Sequence, residues 1–435
     1  MPLKIWDASS IPPEWIESRK KMNWGITEEI EDYVKTIIQQ VRKRGDAALV
    51  EFTKKFDGVS LDPENLRVTP EEVKKAYDAV TDEQLSALRL MKEKLENVQK
   101  YILSQSCILM ENNGVTVQSW PSPIQSVGCY VPGGSAAYPS TLIMTATPAK
   151  VAGVSRVVVC SPPTADGDIN PLTLVAADTC KVNEIYRVGG PQAISALAYG
   201  TETIKPVKKI VGPGNKYVTM AKVLVSRDVA IDMPAGPSEI LILADETADP
   251  KIVALDMVSQ AEHGIDSVSG FITTSEDLAK GVVKKLEEMI PFLPRDKVVA
   301  EALSGHGFIV VFETVDQMIE FANAFAPEHL EIMANNSVDV VNKITSAGLV
   351  LVGPYTPVSA SDYCFGTNHV LPTSGFGHVF SGLSVYDFVR RVNVVECSRD
   401  GLKKFEDEVK ILAKAEKLPN HYLAVKGRFN LEGSK

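Results

Sequence analysis

Gln260 and His263 stand three residues apart at the end of an amphipathic run, Ile252 to His263, that Gly264 closes. On one helix face their Cβ atoms would lie about 5–6 Å apart, so an amide oxygen and an imidazole nitrogen could meet one metal ion. Two ligands do not complete a site, and a polar last turn with His at the negative end of the helix dipole explains the same pattern. The other histidines, His306, His329, His369, His378 and His421, also fall in the second half of the chain. Three stand in dense polar motifs: Pro327-Glu328-His329, Asp362-Tyr-Cys-Phe-Gly-Thr-Asn-His369 and Glu416-Lys-Leu-Pro-Asn-His421. A His/Asp/Gln set gathered from distant segments suits zinc, which is usually four-coordinate. The spacing matches neither a zinc finger nor His-Glu-x-x-His.

Each of these residues also has a plainer reading. Glu328-His329 joins a carboxylate to an imidazole of unperturbed pKa about 6.5, which suits proton removal near neutral pH. The same pair fits a helix-to-strand connection after Pro327 with two exposed polar side chains. Asp362 follows Ser361 in a turn-rich stretch, where an Asx turn is the alternative, and His421 reads equally as surface helix. Gly212-Pro-Gly214-Asn215 follows the strand Lys209 to Val211 and precedes a helix, so its amides could face a phosphate. Gly-Pro-Gly is most often a turn, however, and the Gly-x-Gly-x-x-Gly fingerprint is absent.

The elements that must position these groups alternate between strand and helix. The first hundred residues read as helical: Glu28 to Arg44, a restart at Gly45-Asp46, a break at Asp57-Gly58, then Val73 to Tyr101 with Thr69 as cap and Pro70 at N1. From about residue 114, strands at Val127–Val131, Arg156–Cys160 and Glu184–Val188 alternate with helices at Thr141–Ala152, Leu172–Thr179 and Gln192–Ala198. A second set begins near Ile240, with strands at Ser267–Thr273, Gly307–Phe312 and Gly348–Val352. Its helices are Glu276–Met289, Val315–Phe325 and Val338–Thr345. Alternation of this kind predicts parallel α/β sheets. The expected architecture is two incomplete Rossmann-like α/β modules with helical N- and C-terminal segments. The expected division is a helical segment 1–24, a first module from 25–129 and 241–381, a second from 130–240 on the dinucleotide side, and a helical tail 382–435.

Composition narrows the function. At 435 residues the chain should hold more than one domain, and 45% apolar residues is ordinary for a globular protein. A net charge of −10 without a basic block argues against nucleic acid. No apolar run approaches the ~20 residues of a membrane span, and Met-Pro-Leu-Lys-Ile-Trp-Asp lacks a signal-peptide core. Six scattered cysteines without Cys-x-x-Cys read as reduced thiols, so a cytoplasmic location is expected.

Five blocks occur in order: Gly128-Cys-Tyr-Val-Pro-Gly-Gly-Ser-Ala-Ala-Tyr-Pro-Ser140, Ile231-Asp-Met-Pro-Ala-Gly-Pro-Ser-Glu239, Ser259-Gln-Ala-Glu-His-Gly264, Ala326-Pro-Glu-His-Leu330 and Gly366-Thr-Asn-His-Val-Leu-Pro-Thr373. Together they resemble the histidinol dehydrogenase family, from roughly Ser18 to Arg428. The resemblance implies oxidation of L-histidinol to L-histidine in two NAD-dependent steps that end histidine biosynthesis. It also implies one zinc per subunit and a homodimer whose C-terminal segment completes the partner's site. By motif, the zinc ligands would be Gln260, His263, Asp362 and His421, the last from the other subunit. His329 would be the base and Glu328 the activator of water. Ser238, His369 and Glu416, with the zinc ligands and His329, would contact substrate, and Tyr130, Gln192 and Asn215 would contact NAD. His306 and His378 match no site position.

Two stretches depart from the family pattern. Phe365, after Cys364, could narrow the pocket, and Pro419, before Asn420, should weaken the helix that carries His421. The main competing reading is a relative that oxidises a different small primary alcohol with zinc and NAD; His369 and Glu416 together favour histidinol. A zinc-dependent amino-acid-binding protein would predict loss of Glu328 or His329, and both are present.

Overall fold

The computed structural model describes residues 3–20, 27–133 and 137–429; residues 21–24 and Gly134-Ser135-Ala136 of the first motif lie outside them. The strands, in chain order, begin with β1 (Ile5–Asp7), β2 (Ile108–Asn112), β3 (Val115–Pro123), β4 (Ser126–Tyr130), β5 (Arg156–Ser161), β6 (Glu184–Arg187), β7 (Lys209–Val211) and β8 (Ala230–Ile231). They continue with β9 (Glu239–Ala244), β10 (Val268–Thr273), β11 (Gly307–Val311), β12 (His329–Met333), β13 (Leu349–Val352) and β14 (Val389–Cys397).

Two compact units emerge, residues 1–99 with 124–388, and residues 100–123 with 389–435. The first unit holds two parallel sheets. The five-stranded sheet has the order β6-β5-β4-β7-β8. In chain order that is 3-2-1-4-5, the dinucleotide-binding arrangement, with its switch point between β4 and β7. The six-stranded sheet, β1-β11-β10-β9-β12-β13, repeats the same order with β1 added at one edge. All-parallel sheets are covered on both faces, so their strands are apolar throughout. Ile240-Leu-Ile-Leu243 of β9 is fully buried in this way.

The helices end where their residues dictate. Thr69 and Glu72 form a capping box ahead of Pro70–Ala76. Thr314 and Gln317 do the same for Val315–Phe325, and Ala326 then takes a left-handed φ of 48° and turns the chain into Pro327.

Several elements differ from the sequence reading. The N-terminal segment is not purely helical, because Ile5–Asp7 pairs with Ile309–Val311 before the helix Pro13–Lys20. Val73–Tyr101 is two helices, Pro70–Ala76 and Asp82–Ser104; Thr81 restarts the second by exchanging bonds with Gln84. The helix at Val338 spans only Ser337–Val341. Helices Glu28–Arg44 and Asp46–Asp57 pack with the five-stranded sheet, where Ile37, Val41 and Leu49 meet Val158, Ile194 and Leu197, rather than with 241–381. β4 belongs to that sheet too.

The second unit contains a three-stranded antiparallel sheet, β14-β3-β2. The tail beyond 382 therefore includes a nine-residue strand, which follows a short 3-10 turn at Val385–Phe388, and its helices come after it at Arg399–Lys404, Glu406–Ala415 and Pro419–Arg428. Pro419 occupies the first turn of the last helix. There its fixed φ favours the helix and its missing N–H costs nothing, so the expected weakening does not occur.

Candidate active site

The candidate catalytic pair sits at the amino end of β12, beside the amino end of its neighbour β9 in the six-stranded sheet. Ser238 and Glu239 lead into β9, and Glu328 and His329 lead into β12. Neither Glu328 nor His329 is exposed as a connecting loop would leave it; they are 6% and 4% accessible. The backbone of Glu239 organises both. Its amide donates to Glu328 Oε2 at 2.7 Å, and its carbonyl lies 3.1 Å from His329 Nδ1. A carbonyl can only accept, so Nδ1 carries the proton and Nε2 is left as a free lone pair. His329 Nε2 has no hydrogen-bond partner and lies 3.8 Å from Asp362 Oδ1.

The Glu239 carboxylate is itself tied down by Arg19 at 2.7 Å and by the Ser374 amide at 3.1 Å. This residue escaped the sequence reading. The available signal was a carboxylate heading the apolar run Ile240-Leu-Ile-Leu243, which a buried strand tolerates only when paired.

Asp362 closes the short helix Val358–Tyr363 rather than standing in an open turn. Its carbonyl accepts from His369 Nδ1 at 3.2 Å, and Thr141 Oγ1 faces His369 Nε2 at 3.4 Å. Asn368 also donates to the Met144 carbonyl at 2.8 Å, so the helix Pro139–Ala152 meets the Asp362–His369 segment. Gln260 is in the last turn of the helix Pro250–Ala261, whereas His263 falls past its end. The two are linked by the His263 amide on the Gln260 carbonyl at 3.3 Å. A charge on His263 disfavours the charged forms of both His329 and His369.

Burial sets the protonation of this cluster. It pushes His329 down to about 3 and His369 down to about 4, so both imidazoles are neutral. It drives Glu328 well above the usual carboxylate range, the Glu239 amide opposing and the Glu239 and Asp362 charges reinforcing that shift. Burial also lifts Asp362 to about 7 and lowers His263. A neutral, oriented imidazole beside a carboxyl poised to change charge can run acid–base chemistry.

Among the described residues, no three His, Cys, Asp or Glu side chains already converge as a metal site. His263 and Asp362 are the two of that kind in the expected ligand set within this unit. Glu416 and His421 belong to the second unit, where both are exposed. Gln260 Nε2 and Asp362 Oδ1 are buried without partners, and side-chain amide N and O are interchangeable by a flip. Orphaned polar atoms of these types beside a neutral histidine fit zinc as part of a site that requires a further donor. Phe365 is exposed, 44% accessible. His378 bonds Ser346 and the Ala324 carbonyl, a structural role.

Of the residues expected to contact a dinucleotide, Tyr130 and Asn215 lie at the carboxyl ends of β4 and β7, the switch point of the five-stranded sheet, and Gln192 lies on the helix after β6. Tyr130 ends β4, and its hydroxyl accepts from the Gly190 amide at 3.1 Å. Gln192 is fully buried with both amide atoms unpartnered. Asn215 caps the helix Lys216–Val225, accepting from Tyr217 and Val218 at 3.1 Å each. Gly212 holds a φ of 117°, and a Cβ there would lie 2.1 Å from the Tyr130 carbonyl. Buried Lys222 bonds the Gly212 and Met233 carbonyls and pairs with Asp232, which accepts the Gly212 amide at 2.8 Å. The loop is thus held from both sides.

The comparisons with known proteins agree with this geometry. The family model described as Histidinol dehydrogenase matches residues 20–429. The histidinol dehydrogenase of Methanocaldococcus jannaschii is 46% identical over 426 residues, covering 98% of each chain. That of Clostridium acetobutylicum is 44% identical over 425 residues, again with 98% of each covered. The crystal structure of histidinol dehydrogenase from Elizabethkingia anophelis superimposes with a TM-score of 0.91 at 36% identity and 98% coverage of both chains. These matches do not favour a relative with a different alcohol. The chain belongs to the histidinol dehydrogenase family.

Proposed function

We propose that this site oxidises L-histidinol to L-histidine through bound L-histidinal, with two NAD molecules each accepting one hydride. The observation that carries the reading is His329, buried, its Nδ1–H held by the Glu239 carbonyl and its Nε2 free. In the first step Nε2 takes the hydroxyl proton while hydride leaves the carbinol carbon for NAD. Glu328 then accepts a proton from water as the water adds to the aldehyde, giving the hydrate. A second deprotonation and hydride transfer complete the carboxylate, so each histidinol yields two NADH. Tyr130, Gln192 and Asn215 would hold the dinucleotide, and Ser238 and His369 would contact the amino alcohol.

Zinc, held by Gln260, His263, Asp362 and a His421 from a second subunit, would supply a Lewis acid for the substrate's imidazole and amine and so orient it. Glu416 would reach the substrate from that same second subunit. Support for a homodimer comes from the second unit, which leaves Ile108, Leu109, Met110, Ile411, Leu412 and Leu423 exposed. Apolar faces of that kind are covered by partner chains. The cysteines are all free, as suits a reducing cytoplasm, and among the described residues no helix is long and apolar enough to cross a membrane.

Product analysis tests this reading. Purified protein given L-histidinol and NAD should release histidine without free aldehyde, and aldehyde accumulating in solution would contradict the retained intermediate.

A further inference from the structure

Behind the site lie two carboxyls that the reaction does not use. Asp256 is on the helix Pro250–Ala261, one turn before Gln260, and Glu331 is on β12, two residues after His329 and on the same face of the strand. They are 7% and 1% accessible. Glu331 Oε1 accepts at 2.7 Å from the amide of Val358, the first residue of the short helix that carries Asp362. Each carboxyl bears on the titration of the other, so the two are neighbours. Asp256 Oδ2 and Glu331 Oε2 receive no N–H or O–H from any other residue. Two buried carboxylates so placed would repel, and one proton between them removes both the repulsion and the orphaned lone pairs.

We infer that Asp256 and Glu331 share one proton, and that this bond fixes the helix bearing Gln260, the strand bearing His329 and the helix bearing Asp362 at their working separation. The pair is a positioning device, not a catalytic one. Burial favours the protonated form: it raises Asp256 to about 6 and Glu331 well above its usual range, where the Asp256 charge adds to it. Among the described residues no lysine, arginine or histidine contributes to either shift, so no cation competes for the role of the proton. The inference rests on the site assignment above, because its consequence is the spacing of Gln260, His329 and Asp362. Misplacement by about 1 Å can lower a rate roughly 10²-fold without changing any reacting group.

The test uses the intact enzyme and three variants. Glu331→Gln and Asp256→Asn each replace the shared proton by a permanent N–H donor of the same shape, whereas Glu331→Leu removes the link. Infrared difference spectra at neutral pH, parent minus variant, should show one protonated-carboxyl carbonyl band that each amide variant has lost. The amide variants should stay within about tenfold of parental kcat, and Glu331→Leu should fall roughly 10²-fold in kcat with an unaltered KM for NAD. An unchanged band in the amide variants, a loss in Glu331→Gln equal to that in Glu331→Leu, or full activity in Glu331→Leu would each overturn the inference. Should the leucine variant not fold, the band and the amide variants decide. Failure of the site assignment would show separately, in the turnover of His329 variants, which the infrared measurement does not involve.

Discussion

The imidazole of His329 donates from Nδ1 to the carbonyl of Glu239 at 3.1 Å, while the amide of the same Glu239 donates to Glu328 at 2.7 Å. One peptide segment at the head of β9 thus fixes the tautomer of the candidate base and the position of its carboxyl neighbour. His329→Asn should keep zinc and substrate binding while hydride transfer slows by ~10²–10⁴, the usual contribution of a general base. Pre-steady-state NADH formation reads this directly; unchanged turnover would remove His329 from the role.

His421 and His329 lie in different units of the chain. If the C-terminal segment serves the partner, His421→Ala and His329→Asn, each inactive alone, should recover activity as a mixed dimer carrying one intact site. No recovery, with heterodimers shown to form, would argue against shared sites.

The Gly212 backbone stands at φ 117° with the Tyr130 carbonyl pressed against it. Gly212→Ala should weaken the loop by about 1–3 kcal/mol, the cost of a φ that glycine adopts freely but that strains a residue with a Cβ. A lowered Tm together with a raised KM for NAD is the expected result, and wild-type values of both would contradict it.

Asp57 follows from burial rather than chemistry. Its Oδ2 is buried without a partner, and burial pushes the carboxyl up to about 6. In the unfolded chain an Asp titrates near pH ~4. Above pH 6 the folded state therefore holds a poorly solvated carboxylate, which costs stability. As pH falls from 6 towards about 4 the folded state takes the proton first and that cost is lost. Asp57→Asn should raise Tm above roughly pH 7 and leave it unchanged near pH 4. Thermal melts across that range check the sign, and a stabilisation that persists at the acid end would refute the assignment.

Much of this was legible in the sequence, for identifiable reasons. Glu276–Met289 and Val315–Phe325 lie where the apolar period puts them, and the structure adds Ser275 and Thr314 as their caps. The parallel alternation from Val127 to Val352 gave the fold class because buried strands leave long apolar runs between helices. The antiparallel sheet was missed. Its strands are short of buried residues, with β2 wholly exposed, so no apolar alternation marks them. A signal was present in Asn113-Gly114, which hold φ of 54° and 79° and form the hairpin turn between β2 and β3. Glu239 and Glu331 were passed over for a different reason: a lone acid in an apolar strand shows its partners only when distant segments are brought together. The partners proved to be Arg19 and Ser374 for Glu239, and the Val358 amide for Glu331.

The most direct test counts NADH formed per L-histidinol by the purified protein, before and after chelation and again after zinc is restored. Two NADH per histidinol, lost on chelation and recovered with zinc, is the predicted result. No NADH from histidinol at full zinc occupancy would contradict the proposed reaction at this site.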